Sequence, residues 1–144
     1  MYRFLQYTVA DYMTRGPVTI TPDTTLRELE GLFEQHAFNG VPVIDGGEQL
    51  LGMVTKLDVL KAFSFTTGAP APHYDEIMDG TLVEAVMTRE PVTVREDLPL
   101  SRALMCMIEL RNKSFPVVNE QGRLAGVLAR EDILKALRES TESH

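Results

Sequence analysis

Residues 13–20 read Met13-Thr14-Arg15-Gly16-Pro17-Val18-Thr19-Ile20, and residues 87–94 read Met87-Thr88-Arg89-Glu90-Pro91-Val92-Thr93-Val94. Six of these eight positions are identical. Working outward at the same offset of 74, Pro42-Val43 falls on Pro116-Val117, Gly52 on Gly126, Asp58 on Asp132, and Leu60-Lys61-Ala62 on Leu134-Lys135-Ala136. Sixteen of the fifty positions from 13 to 62 match without a gap. Unrelated sequences would give roughly three, and self-similarity at a fixed offset marks duplicated structure. The gapless match means that loops inside the two copies have equal lengths.

Each copy carries the same order of elements. A short helical approach (Val9 to Met13, Leu82 to Met87) precedes a brief strand (Val18 to Ile20, Val92 to Val94). A helix follows. In copy one Leu26, Leu29 and Phe33 recur at helical spacing, with Thr25 and Glu28 placed for a capping box. In copy two Leu100, Ala103, Leu104, Met107 and Ile108 form a fuller apolar stripe. Val41 to Ile44 and Phe115 to Val118 are rich in β-formers. Turns at Asp45-Gly46-Gly47 and at 119–122 lead to third strands, Leu51 to Val54 and Leu124 to Leu128. These run straight into last helices, Lys56 to Phe63 and Arg130 to Leu137. A three-stranded sheet with two short helices buries little by itself at this size. The expected fold is therefore α/β (α+β): two tandem β-α-β-β-α repeats, 9–63 and 82–139, packed sheet to sheet around a pseudo-twofold axis. Residues 64–81, with Gly68, Pro70 and Pro72, read as a connector whose later half is open to helix formation. The tail after Glu139 reads as frayed.

Composition narrows the function. The 144 residues are 44% apolar, enough to supply a core, and the net charge of −7 opposes a general role in binding nucleic acid. Cys106 is the single cysteine, so no internal disulfide forms, which fits a reducing compartment. Its place in the apolar run Leu104 to Leu110 makes it a small buried hydrophobe rather than a reactive thiol. Residues 1–10 lack a signal-type apolar stretch, and no apolar run approaches the roughly 18 residues of a membrane helix. A soluble cytoplasmic protein is expected. His36 and His73 have no Cys or His partner at metal-ligand spacing, and neither a catalytic triad nor a Gly-rich phosphate loop is present. The chain is not expected to be an enzyme, nor to hold a metal or a cofactor.

Taken in order and in duplicate, these segments resemble a pair of CBS domains, the arrangement called a Bateman module. The residues that carry the resemblance are Met13-Thr14 with Pro17-Val18-Thr19-Ile20, the run Asn39-Gly40-Val41-Pro42-Val43-Ile44-Asp45, and Gly52-Met53-Val54-Thr55-Lys56-Leu57-Asp58. Copy two matches through Met87-Thr88, Pro91 to Val94, Phe115-Pro116-Val117-Val118-Asn119 and Gly126 to Asp132. The resemblance implies a sensory module that binds AMP, ADP, ATP or S-adenosylmethionine in clefts between the two copies and passes the signal to a partner protein. It also implies pairing into a homodimer. Nearly every residue belongs to the repeats, so a stand-alone module is expected.

Site residues follow from the resemblance, each beside a plainer reading. Asp58 and Asp132 would accept hydrogen bonds from the ribose hydroxyls, assisted by Thr55. A carboxylate only accepts, and can engage two vicinal hydroxyls at once. The plainer reading is that Thr55 caps the helix and Asp58 complements its dipole. Gly16, Val18 and Thr19, with Asn39, Gly40, Val41 and Met53, would line one adenine pocket. Val92, Thr93, Ser114 and Phe115 would line its counterpart. Otherwise the prolines here mark strand edges. Lys56, Lys113 and Arg130 would meet phosphate, with Arg15, Arg89 and Arg111 nearby; each could equally be a solvated surface charge. Because Thr55 is replaced by Ala129 in copy two, the Asp58 cleft is expected to bind more tightly.

Two functions stay open: a regulatory module for an adenosine-containing ligand, or a ligand-free structural or dimerisation module. A homodimer through helical faces is expected, since Met105, Met107, Ile108, Leu110, Leu29 and Leu32 exceed what one side of two short helices can bury.

Overall fold

The computed structural model describes residues 2–64 and 73–142. Gly68, Pro70 and Pro72 of the expected connector, and the last two residues, lie outside the described residues. Along the chain run α1 (Val9–Tyr12), β1 (Thr14–Arg15), α2 (Leu26–Gln35), β2 (Gly40–Ile44), β3 (Leu50–Thr55), α3 (Lys56–Lys61) and α4 (Tyr74–Gly80). Then come β4 (Thr88–Arg89), β5 (Val94–Arg95), α5 (Leu100–Leu110), β6 (Ser114–Val118), β7 (Leu124–Ala129) and α6 (Arg130–Glu142). Among the described residues no helix is long and apolar enough to cross a membrane.

The elements form two compact units that interleave along the chain. One takes residues up to Pro17, 48–50 and everything from Pro91; the other takes 18–47 and 51–90. The first holds a four-stranded sheet of order β1-β7-β6-β5, in which β7 is antiparallel to both neighbours and β5 runs parallel to β6. Its core gathers Val9, Leu100, Ala103, Phe115, Val117, Leu128 and Ala136. The second holds the three-stranded sheet β2-β3-β4, with β4 antiparallel to β3. Leu26, Leu29, Val41, Val43, Val54, Met78 and Val83 fill its core.

Local chemistry sets the element ends. The Thr25 hydroxyl accepts from Glu28 N at 3.2 Å while Glu28 Oε1 accepts from Thr25 N at 3.1 Å, the expected capping box. α3 stops at Lys61 rather than Phe63, because Ala62, Phe63 and Ser64 donate to carbonyls three residues back, a tightened turn that ends the α-helix. α4 lies on α2, where Arg27 reaches Asp79 at 2.9 Å and Asp75 at 2.5 Å. Beneath that charged rim Met78 is fully buried.

Several expectations are corrected. Val18 to Ile20 is not a strand: only Ile20 pairs, bridging Val43 in parallel through Ile20 N to Pro42 O and Ile44 N to Ile20 O. In copy two the strand shifts to Val94–Arg95, leaving Val92 and Thr93 exposed. Pro17 and Pro91 lack the N–H that would extend a ladder backwards. Nor do the strands of one repeat make up a whole sheet. Thr14-Arg15 and Thr88-Arg89, which follow the expected helical approaches and fall in none of the expected elements, supply two-residue edge strands: β1 joins copy-two strands through Thr14↔Val127 and Arg15↔Gly126, and β4 joins β3 through Gly52↔Arg89 and Met53↔Thr88. The tail is not frayed at Glu139, since α6 continues to Glu142. Ser140 is buried and bonds Leu137 O at 2.8 Å, and Tyr12 donates to Glu139 at 2.8 Å. Leu29 and Met107, counted among the surplus apolar residues, are buried in the cores, and Leu32 packs partly against one; Met105, Ile108 and Leu110 do stand exposed.

Candidate functional site

In each unit the candidate site begins where a strand turns directly into a helix and a glycine lets an edge strand come close. In the four-stranded unit a Cβ on Gly126 would lie 2.6 Å from Thr14 O and 3.0 Å from Met13 Sδ. The bare glycine therefore seats β1 against β7. That brings the Thr14 hydroxyl within 3.4 Å of Asp132 Oδ1. Asp132 Oδ2 accepts from Ala129 N at 2.8 Å, holding the carboxylate over the first turn of α6. Burial pushes the Asp132 carboxyl upward in pKa, opposed by the Ala129 N–H and the Thr14 hydroxyl. Ser114 sits opposite Ala129 in the β6–β7 ladder, and Lys113 O accepts from Arg130 N.

The three-stranded unit repeats the plan. A Cβ on Gly52 would meet Thr88 O at 2.7 Å and Met87 Sδ at 3.0 Å, so β4 is seated in the same way. Here the carboxylate is enclosed: Asp58 is only 3% exposed. Its Oδ2 accepts from Thr55 N at 2.9 Å and Thr55 Oγ1 at 3.2 Å, and its Oδ1 from Lys61 Nζ at 2.6 Å and Thr88 Oγ1 at 3.4 Å. Asp58 N in turn donates to Thr55 Oγ1 at 3.3 Å.

The remaining candidates divide between the units. Gly40, Val41 and Met53 are buried beside Thr55, with Gly40 packed so closely that a Cβ would stand 3.1 Å from Met53 Cε and 3.2 Å from Thr55 Cγ2. Asn39 precedes them, half-buried. Thr19 lines an open groove of about 500 Å³ along α2 with Thr21, Thr24 and Glu28, and Val18 is half-buried in the same unit. Gly16, in the other unit, takes φ +59°. Phe115 has no exposed surface and belongs wholly to the core, paired with Leu128 in the β6–β7 ladder. Val92 and Thr93 lie exposed ahead of β5.

The cations are mostly engaged. Arg130 donates from Nε to Asn112 O at 3.1 Å and from Nη2 to Arg111 O at 3.2 Å, closing the loop after α5, where Arg111 adopts φ +56°. Lys56 Nζ stands 5.7 Å from the Phe33 ring centroid. Arg15 donates to Ala10 O and Arg89 to Glu84 O, the same five-residue reach in both copies. Lys113 alone of the three phosphate candidates is exposed with its side chain in none of these bonds. Thr14, Thr88 and Lys61 escaped sequence reasoning as partners of the aspartates. The duplicated Met-Thr-Arg motif was the available signal for the two threonines.

The strand-to-helix aspartates, the glycine-seated edge strands and the duplicated order of elements define an architecture of two paired copies of one small α/β domain. The CBS domain family matches residues 9–64 and 83–139, and the chain belongs to that family. It is 32% identical over 125 residues to inosine-5'-monophosphate dehydrogenase of Methanocaldococcus jannaschii, covering 87% of this chain but 22% of that protein. It is 29% identical over 150 residues to the chloroplastic CBS domain-containing protein CBSX1 of Arabidopsis thaliana, covering 90% of this chain and 64% of that one. The chain thus spans less than two thirds of these curated relatives. A crystal structure of CBSX2 in complex with AMP superposes with a TM-score of 0.79 at 27% identity, covering 94% of this chain and 98% of the other.

Proposed function

We propose that the chain is a non-catalytic regulatory module that binds an adenosine-containing ligand (AMP, ADP, ATP or S-adenosylmethionine) through its strand-to-helix aspartates and signals to a partner protein in the cytoplasm. The observation that carries this reading is the duplicated Asp58/Asp132 arrangement, each carboxylate held at the first turn of a helix with a threonine hydroxyl from an edge strand beside it. A fixed acceptor-only carboxylate suits the two hydroxyls of a ribose. The 27% identical CBSX2 structure, which contains AMP, supports the ligand class. In this reading Gly16, Val18, Thr19, Asn39, Gly40, Val41, Met53, Val92, Thr93 and Ser114 border the base, with Phe115 supporting them from the core, and Lys113 is the cation freest to meet phosphate, ahead of Lys56 and Arg130. The repeats extend over 9–63 and 82–139. Thermal unfolding with AMP, ATP and S-adenosylmethionine tests the reading: a ligand at 100 times its Kd adds about 2.7 kcal/mol. Unchanged melting with all three would sink it.

We further propose a homodimer through helical faces. Ile108 and Leu134, both exposed, border an apolar groove of about 290 Å³ between α5 and α6 whose other walls include Leu104 and Leu137. Exposed apolar surface of this kind marks interfaces. The same face favours the second reading, a dimerisation module without ligand. A mass near that of one chain in light scattering at tens of micromolar would refute the dimer.

A further inference from the structure

We infer that Lys61 acts as a latch that closes Asp58 to ligand, so that Asp132 is the acceptor through which the chain takes a nucleoside. This rests on the ribose reading of the aspartates given above. A carboxylate offers about four acceptor positions. Four donor contacts reach Asp58: the Thr55 N–H, the Thr55 hydroxyl, the Lys61 ammonium and the Thr88 hydroxyl. Asp58 is thereby filled as well as buried. Two donors reach Asp132, the Ala129 N–H and the Thr14 hydroxyl. About two acceptor positions therefore stay open on a half-buried carboxylate, the number a vicinal diol needs.

The two differences between the sites trace to sequence. Ala129 replaces Thr55, and this removes one internal donor. The loss that suggested a weaker site in copy two instead frees an acceptor. The second difference arises from identical residues, because Lys61 and Lys135 both lie three positions beyond their aspartates. Lys61 is the last residue of six-residue α3, and its ammonium bridges to Asp58 at 2.6 Å. Lys135 lies in the middle of thirteen-residue α6 and forms no ion pair with Asp132. The latch is a single ion pair on a lysine whose side chain is 55% exposed, so it is weak enough to open when that lysine is removed or drawn elsewhere.

Calorimetric titration of the full chain with adenosine tests the inference, since an uncharged probe is indifferent to the lost lysine charge except through the latch. The wild type should bind one equivalent, and Asp132→Asn should weaken that binding at least about tenfold, as expected for hydrogen bonds to a charged group. Lys61→Met frees one acceptor position and leaves Asp58 with the three donors that Ala129→Thr would give Asp132, so it should add a second, weaker equivalent. Ala129→Thr, which restores the missing donor without touching a buried charge, should weaken wild-type binding about threefold to tenfold. That arm stands even if Lys61→Met fails to fold. Two equivalents of equal affinity in the wild type, or tighter binding by Ala129→Thr, overturns the latch while leaving the ligand reading intact. No adenosine binding by the wild type or any variant overturns both.

Discussion

Thr14 O lies 2.6 Å from the point a Cβ on Gly126 would occupy, and Thr88 O lies 2.7 Å from the equivalent point on Gly52. Both contacts are to backbone, which cannot rotate aside as a flexible side chain would. Gly126→Ala and Gly52→Ala must therefore displace β1 or β4. Each should cost about 1–3 kcal/mol in urea denaturation, the usual range for overpacking. A loss of stability well under 1 kcal/mol in both variants would show that the edge strands are free to shift.

Positive φ recurs at repeat-equivalent positions, but glycine fills only one of each pair. Gly16 at +59° corresponds to Glu90 at +49°, and Gly122 at +77° to Glu48 at +65°. The left-handed region costs an ordinary residue about 1–2 kcal/mol, partly offset by the entropy glycine loses on folding. Glu48→Gly and Glu90→Gly should each stabilise by about 0.5–1 kcal/mol, whereas Gly122→Ala should destabilise. Denaturation midpoints of the three variants decide the matter.

Two kinds of contact hold α4 on α2, and they should differ sharply when removed. Arg27 bridges Asp75 and Asp79 on the surface, and Tyr74 donates to Glu30. Exposed ion pairs are screened by water, so Arg27→Ala should leave the melting midpoint nearly unchanged. Met78 is fully buried beside the same helices, and Met78→Ala should cost about 2–5 kcal/mol. A larger effect at Arg27 than at Met78 would refute this ordering.

The duplicated fold was legible because its signals are strong and local: apolar stripes in α2 and α5, the Thr25–Glu28 capping box, and glycines and prolines at one fixed offset. The exchange of edge strands was not. Thr14–Arg15 and Thr88–Arg89 are two residues long, too short to show any periodicity. The aspartates stood out as a repeated pair, yet the partners of each come partly from afar. Thr14 lies 118 positions from Asp132, and Thr88 lies 30 from Asp58. Lys61 and Lys135 occupy equivalent positions in the two repeats, and the length of the helix around each separates their roles. No residue-by-residue reading of the motif contains that information.

The Asp132 carboxyl has its pKa raised chiefly by burial. For an acid, a raised folded-state value means that the folded chain binds protons more readily than the unfolded one. Stability therefore falls as pH rises through the interval between the unfolded and folded pKa, and the penalty is complete at neutral pH. Asp132→Asn removes that penalty, so the variant should be at least as stable as the wild type at pH 7. Its advantage should shrink as the pH falls through the raised value into the ordinary carboxylate range near 4. Ligand binding should run the other way. Protonation costs the carboxylate an acceptor position, so adenosine affinity in the wild type should drop over the same acidic interval. Thermal melts of both proteins from pH 4 to pH 8, with titrations at each end, check the two trends together. A variant less stable than the wild type at pH 7 and equal to it at pH 4 would reverse the sign and show that the Ala129 and Thr14 hydrogen bonds outweigh desolvation.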